Sequence, residues 1–354
     1  MNGFAAQKLH PIFDVTAVFA GGNALGAYHL GVCEGMTETG LKPSWLVGAS
    51  IGAVTAALYA GGPTGDPLQP LRTFWDQAAQ PTLPWLDFMP QGIRSRLNNE
   101  NALTGLLFGR PGVFRPRYPG PWSLVPGVPS DVAVRDLRPL ARSLESLVDF
   151  DRLNDGKCRV SILALDVETG EEVWFDNRDQ PIRVEHLLAS CALAPLFPPV
   201  EIEGRLLCDA GLGNNLPFDR VFHEAPDHNI LCIASDLFHP DHGRPETLDQ
   251  TVARAQDLAF AIQTRRSVAA LARERELVRQ RSPESPSSIL AHLAYQAPGH
   301  QRGLKTLDFS SRSIKERAAK GRSDFEAMLP RLHAAPQNRP LAYLGPDNTE
   351  TNAA

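Results

Sequence analysis

The segment Gly48-Ala49-Ser50-Ile51-Gly52 pairs a candidate nucleophile with the small neighbours it needs. A Gly-x-Ser-x-Gly run is the pattern of a nucleophile elbow, a sharp turn from strand to helix. The turn is tight enough that a Cβ at either flanking glycine would clash. The serine oxygen then stands clear at the edge of a sheet, and the helix N-terminus behind it favours negative charge. At average glycine and serine usage the pattern arises by chance in roughly one chain of this length in ten. Its context carries the weight: Trp45-Leu46-Val47 reads as a short strand before it, and Ile51 to Ala60 as an apolar helix after it.

The second chemical signal is Ala20-Gly21-Gly22-Asn23-Ala24-Leu25-Gly26. A dinucleotide fingerprint would need glycine where Asn23 stands, and an acid at the end of the next strand. A phosphate-cradling Walker loop would need Gly-Lys-Ser/Thr, but Gly26 is followed by Ala27-Tyr28. What remains is a strand-to-helix turn with exposed N–H groups, which can hold a developing oxyanion. In a βαβ unit the first strand, ending at Gly21-Gly22, and the second, ending at Ser50, finish on the same sheet edge. Serine and amide donors should therefore be neighbours, as acyl transfer requires.

A third signal is Asp209-Ala210-Gly211-Leu212-Gly213-Asn214-Asn215-Leu216-Pro217. An acid at a strand end, followed by small residues, leaves room for its carboxylate to approach another loop. A turn aspartate bonding its own backbone is the other reading. Histidines offer a triad instead: His239-Pro240-Asp241-His242 follows an apolar strand over Asn229 to Leu237, and His29 lies on the helix after the glycine turn. Surface or helix-flank roles are the plainer reading of all three histidines. His239-x-x-His242 has a proline between its imidazoles and no clear further ligand, so no metal is assigned.

These elements sit in a chain of 354 residues with net charge -5 and 43% hydrophobic residues. That balance gives no support to a nucleic-acid partner. Five cysteines, an odd number without a Cys-x-x-Cys pair, read as buried thiols. The first residues lack a basic start followed by an apolar run, so no secretory signal is read. Together these point to the cytoplasm.

Strand, helix, strand, helix from Asp14 onward argues for a parallel sheet. Residues 63–129 turn proline-rich with scattered aromatics, an irregular insertion with short helices that serves as packed surface or as a lid. Cys158 to Asp166 and Glu172 to Phe175 form a predicted hairpin, Glu185 to Leu193 a helix, and Arg205 to Cys208 a strand. A long helix is predicted over Glu246 to Gln280, a Ser/Pro break at Ser282 to Ser288, and a last helix over Ser313 to Leu332. Arg254, Arg265, Arg266, Arg273, Arg275, Arg279 and Arg281 make the long helix basic, either as a solvated face or for transient attraction to an anionic membrane surface.

The three signals, in this order, resemble the patatin-like phospholipases. That family carries a glycine-rich oxyanion loop, a Gly-x-Ser-x-Gly elbow and a later Asp-Gly-Gly or Asp-Gly-Ala motif. The resemblance covers Val15 to Asp236, and Ser190-Cys-Ala-Leu-Ala-Pro-Leu-Phe-Pro-Pro199 also resembles the family's segment ahead of the aspartate. It implies Ser50 as nucleophile, Asp209 as its dyad partner, an oxyanion hole at Gly21, Gly22 and Asn23, and elbow glycines Gly48 and Gly52. The family loop usually reads Gly-Gly-Gly-x-Arg-Gly. Here Asn23 replaces the third glycine and Leu25 the basic residue; the Leu, followed by Gly-Ala-Tyr, resembles a bacterial subgroup, and Ala210 stands where glycine is usual. Asn is the residue after glycine that best tolerates positive φ.

The expected architecture is a three-layer α/β/α domain with a central, mostly parallel sheet. A patatin-like core should span 12–240, a helical extension 241–333 and a disordered tail 334–354. The expected activity is hydrolysis of lipid carboxylic esters without metal or organic cofactor, in the cytoplasm or peripheral to a membrane. Thioester or polyester hydrolysis at the same site, or a non-catalytic lipid-binding module, are the alternatives.

Overall fold

In a computed structural model, the structure describes residues 13–81, 91–117, 133–225, 227–241, 243–301, 303–336 and 339–346. The first half begins with β1 (Asp14–Phe19), a short 3-10 turn (Asn23–Gly26) and α1 (Ala27–Glu38). It continues with β2 (Trp45–Ala49), α2 (Ile51–Ala60), α3 (Gln69–Ala78) and α4 (Gln91–Phe108). The ribbon β3 (Arg115–Pro116) and β4 (Arg135–Asp136), α5 (Arg138–Leu147) and α6 (Phe150–Leu153) lead to β5 (Arg159–Asp166) and β6 (Glu172–Asp176). Next come α7 (Val184–Ser190), β7 (Val200–Ile202), β8 (Arg205–Asp209), α8 (Asp219–Glu224) and β9 (Ile230–Asp236). The chain closes with α9 (Leu248–Arg281), β10 (Ser288–Ala294), α10 (Ser311–Ala334) and β11 (Ala342–Leu344).

Nine strands form one sheet in the order β11-β10-β9-β1-β2-β5-β8-β7, with β6 also on β5. From β11 to β5 every pairing is parallel. The strands β2, β5, β9 and β10 are buried along their whole length, and β1 in all but its first residue. That is why they read as continuous apolar runs: both faces are covered by helices. The expected three-layer α/β/α architecture is what the chain adopts.

β5 acts as a ruler. One edge pairs in parallel with β2 over Arg159–Leu163, then antiparallel with β8 over Ala164–Asp166, and the opposite edge carries β6. β2 and β8 thus run toward each other in one lane and stop where they meet.

Residues beyond 240 are more than a helical extension. β10 and β11 extend the sheet from β9, and α10 lies along α1. A Cβ at Gly31 would sit 1.8 Å from the Ala318 carbonyl oxygen, and one at Gly321 would sit 2.1 Å from that of Tyr28. Two glycines therefore set how closely these helices cross. The sequence hid β10 because it begins at the end of the Ser/Pro break, between two charged helices. It hid β11 because three residues sit in a polar stretch, so the expectation of disorder from 334 is corrected over 339–346. In the insertion, α3 has 10 residues and α4 has 18, longer than the short helices expected there, whereas Trp85, Phe88, Tyr118 and Trp122 lie outside the described residues.

Candidate active site

Ser50 stands between β2 and α2 at φ 55 and ψ -125, a conformation that a side-chain-bearing residue rarely adopts. The flanking glycines explain how it is held there. A Cβ on Gly48 would lie 2.4 Å from the backbone of Gly52, and one on Gly52 would lie 2.0 Å from the Phe19 carbonyl oxygen. The Ser50 N–H donates to Ser190 Oγ at 2.9 Å, and Ser190 Oγ donates onward to the Leu163 carbonyl at 2.6 Å. Ser190 thereby staples the elbow to β5.

The Ser50 hydroxyl neighbours the Asp209 carboxylate and favours its ionised form. Asp209 ends β8 and is 3% exposed. Its Oδ1 accepts the Gly211 N–H at 2.8 Å, as in a turn aspartate. Burial pushes its carboxyl up to about 6, and the hydrogen bonds from Ser50 and Gly211 only partly oppose this. The Cys191 thiol lies against the same hydroxyl. Burial first, then the Asp209 charge, push that thiol well up, so it stays protonated.

The glycine turn comes from the adjacent strand, since Phe19 pairs with Gly48. Gly21 touches the serine most closely, with an added Cβ falling 2.9 Å from Ser50 Cβ. Its role differs from the one expected. The Gly21 N–H donates to the Asn215 carbonyl at 3.2 Å and is not available to an oxyanion. Among the described residues, no acceptor in the chain takes the N–H of Gly22 or Asn23. Asn23 has φ 51, the left-handed value that asparagine accepts most readily after glycine. Ala24, one residue on, is anchored by Arg317 of α10, fully buried, whose Nη1 donates to the Ala24 carbonyl at 2.9 Å.

The histidines stand elsewhere. His29 is fully buried behind the turn, with Nε2 3.0 Å from the Ala20 carbonyl and Nδ1 2.8 Å from Ser235 Oγ. Nε2 therefore carries the proton, and burial lowers the ring to about 4, keeping it neutral. His239 Nδ1 accepts the Asp241 N–H at 3.1 Å within its own loop, and His242 lies outside the described residues. The arginines of α9 do not share one solvated face: Arg275 is buried and donates to the Phe222 carbonyl at 2.6 Å.

Sequence reasoning assigned no role to Ser190, Asn215, Gln263 or Arg317. Ser190 and Asn215 fall inside the two stretches already singled out, at 190–199 and 209–217. Gln263 and Arg317 arrive from helices far along the chain and carry no local signal.

The site thus brings together a strained serine, a buried acid and two amides that no acceptor among the described residues takes, on a mostly parallel α/β sheet. The chain matches the family of patatin-like phospholipases over residues 17–222, and a patatin phospholipase model over 250–340. It belongs to the patatin-like phospholipases, a family of lipid ester hydrolases. No curated protein matches the chain. Among solved structures it is similar to VipD from Legionella pneumophila, at 14% identity and TM-score 0.43, over 91% of this chain and 67% of that one. It is also similar to the human GIVD cytosolic phospholipase A2 (14%, TM-score 0.45, 91% and 60%). The type III effector ExoU gives 14% identity and TM-score 0.35, over 91% and 53%. The chain thus spans between about half and two thirds of these larger proteins. Among the described residues no helix is long and apolar enough to cross a membrane.

Proposed function

We propose that this protein hydrolyses carboxylic esters of lipids through a Ser50–Asp209 dyad and an oxyanion hole made by the Gly22 and Asn23 amides. The observation that carries the reading is the placement of Ser50 and Asp209 by consecutive residues of β5, with the carboxylate buried and its pKa raised to about 6. An ordinary aspartate is too weak a base for a serine proton, and burial narrows that mismatch.

In the first half-reaction Ser50 Oγ bonds to the acyl carbon while its proton passes to Asp209. The carbonyl oxygen becomes an oxyanion against the two amides, each worth ~3 kcal/mol as judged by removal of such donors. Collapse breaks the ester C–O bond, and the Asp209 proton goes to the departing alkoxide. Water then attacks the acyl-serine and gives a proton to Asp209. The second collapse frees the fatty acid, and Ser50 takes the proton back.

Apolar side chains around the site support a lipid substrate. Leu212, three residues past Asp209, is 53% exposed, and Leu258 and Ile262 are exposed on α9, whose Gln263 contacts the site loops. A lipid surface is the natural partner for this face, with Arg265 and Arg266 next along the helix. Five unpaired cysteines, four of them buried, favour a reducing compartment.

The test is release of free fatty acid from phosphatidylcholine vesicles, with Ser50→Ala as control. Release that disappears in the folded variant supports the reading; equal release by both proteins overturns it.

A further inference from the structure

Both backbone polar groups of Gly21 are held by one residue, its N–H in the peptide before it and its carbonyl in the peptide that leads to Gly22. Asn215, 2% exposed, accepts the Gly21 N–H on its backbone carbonyl at 3.2 Å. Its side chain donates from Nδ2 to the Gly21 carbonyl at 3.1 Å. Asn215 is itself held from α9: its N–H donates to Gln263 Oε1 at 3.1 Å, and Gln263 Nε2 donates to the Gly211 carbonyl at 3.3 Å. Gly211 is also the residue whose N–H binds Asp209.

In a trans peptide the carbonyl and the following N–H point in opposite directions. Fixing the Gly21 carbonyl on Asn215 therefore fixes the Gly22 N–H on the far side of that peptide, away from Asn215. Without the Nδ2 bond this glycine-glycine peptide is free to rotate, because neither residue has a Cβ to resist it. A rotated peptide would present a carbonyl where the oxyanion needs a donor.

We propose that Asn215 is a positioning residue that aims the Gly22 amide at the oxyanion, with Gln263 tying it to the Asp209 loop. The long C-terminal helix thereby governs both the donor and the base of the site. This rests on the hydrolase reading above.

The experiment compares kcat, KM, pH profile and thermal midpoint for p-nitrophenyl butyrate in the wild type, Asn215→Ala, Asn215→Asp and Gln263→Ala. Asn215→Asp keeps the shape and loses the donor, so a residue that only fills space would tolerate it. Both Asn215 variants should lose about 100-fold in kcat, with KM within about threefold, the loss expected for one oxyanion donor. In Asn215→Ala the acid limb of the pH profile should stay in place, since Asp209 sets it. In Asn215→Asp it should move to higher pH, because a second carboxylate then lies on the Gly211 turn beside Asp209, where the Asn215 and Asp209 Oδ1 atoms are 2.9 and 3.1 Å from the place of a Gly211 Cβ. Gln263→Ala should lose about tenfold in kcat, as a looser tether leaves the amide aimed only part of the time. Folded Asn215→Asp with wild-type kcat would overturn the proposal. If neither Asn215 variant folds, Gln263→Ala decides, and wild-type kcat in it is equally contrary. A folded wild type that neither turns over the ester nor reacts at Ser50 would instead overturn the hydrolase reading, and this proposal with it.

Discussion

Ser50 and Asp209 meet head to head along a single strand. Ala49, the residue before the serine, pairs with Leu163 of β5, and Asp209 pairs with the next residue, Ala164. β2 delivers the serine from one direction and β8 the aspartate from the other. No loop has to find the partner, because consecutive positions of a buried strand place both. Preorganisation of this kind lets two side chains hold their geometry without a third residue to orient them.

Asp209→Asn should abolish hydrolysis and also stabilise the fold at neutral pH. The Asp209 carboxyl is raised from 3.8 in the unfolded chain to about 6 in the folded one. Folding therefore favours the protonated form. That advantage is complete below the unfolded value and is lost as pH rises through the folded value, leaving a cost of about 3 kcal/mol at pH 8. Asparagine keeps an acceptor for the Gly211 N–H and carries no charge. Thermal unfolding at pH 8 should show the variant higher than the wild type, with the gap shrinking as pH falls toward 4. A gap independent of pH would contradict the raised carboxyl.

Hydrolysis should have an acid limb near pH 6, falling about tenfold per pH unit below it, since the base must be ionised to take the serine proton. His29, lowered to about 4 and bonded at both nitrogens, adds no limb of its own above pH 5. A profile of kcat/KM from pH 4.5 to 9 with a soluble ester reads this directly. A limb at the usual carboxylate value would argue against Asp209 as the base.

Ser190→Ala removes the acceptor of the Ser50 N–H and the donor to the Leu163 carbonyl. Both groups are then left unpaired at a buried position, at a cost of about 1–3 kcal/mol. The strained φ of Ser50 loses its staple, so kcat should fall by about tenfold while KM changes little. Denaturant unfolding and steady-state kinetics check the two halves separately.

Asn23→Val places a β-branched side chain at φ 51. Such residues resist the left-handed region, and the turn should relax at a cost of about 1–2 kcal/mol, taking the Asn23 amide out of line. A drop of at least about tenfold in kcat with an intact fold by circular dichroism is expected, because one oxyanion donor is misplaced.

The parts of the site legible in the sequence are those built by local rules. The elbow needs glycines two residues either side of the serine, and the positive φ of Asn23 needs a tolerant residue in the turn. Adjacency of the turn and the serine followed from two successive parallel strands. Gly21 shows the limit: the glycine was legible, but its N–H is committed to a partner 194 residues away. The antiparallel entry of β8 was likewise hidden, because strand order is a tertiary outcome that no short window contains. Arg317 carried no signal in the sequence, yet it is fully buried against the Ala24 carbonyl. β11 was hidden because three residues are too few for any period to show.

The most direct test of the account is covalent labelling with a fluorophosphonate, followed by peptide mapping, in the wild type and in Asp209→Asn at pH 8. The account predicts a label on Ser50 in the wild type and at least about 100-fold slower labelling in the folded variant, because the serine has lost its base. A label on Ser50 at equal rates in both proteins, or none on Ser50 in folded wild type, would contradict it.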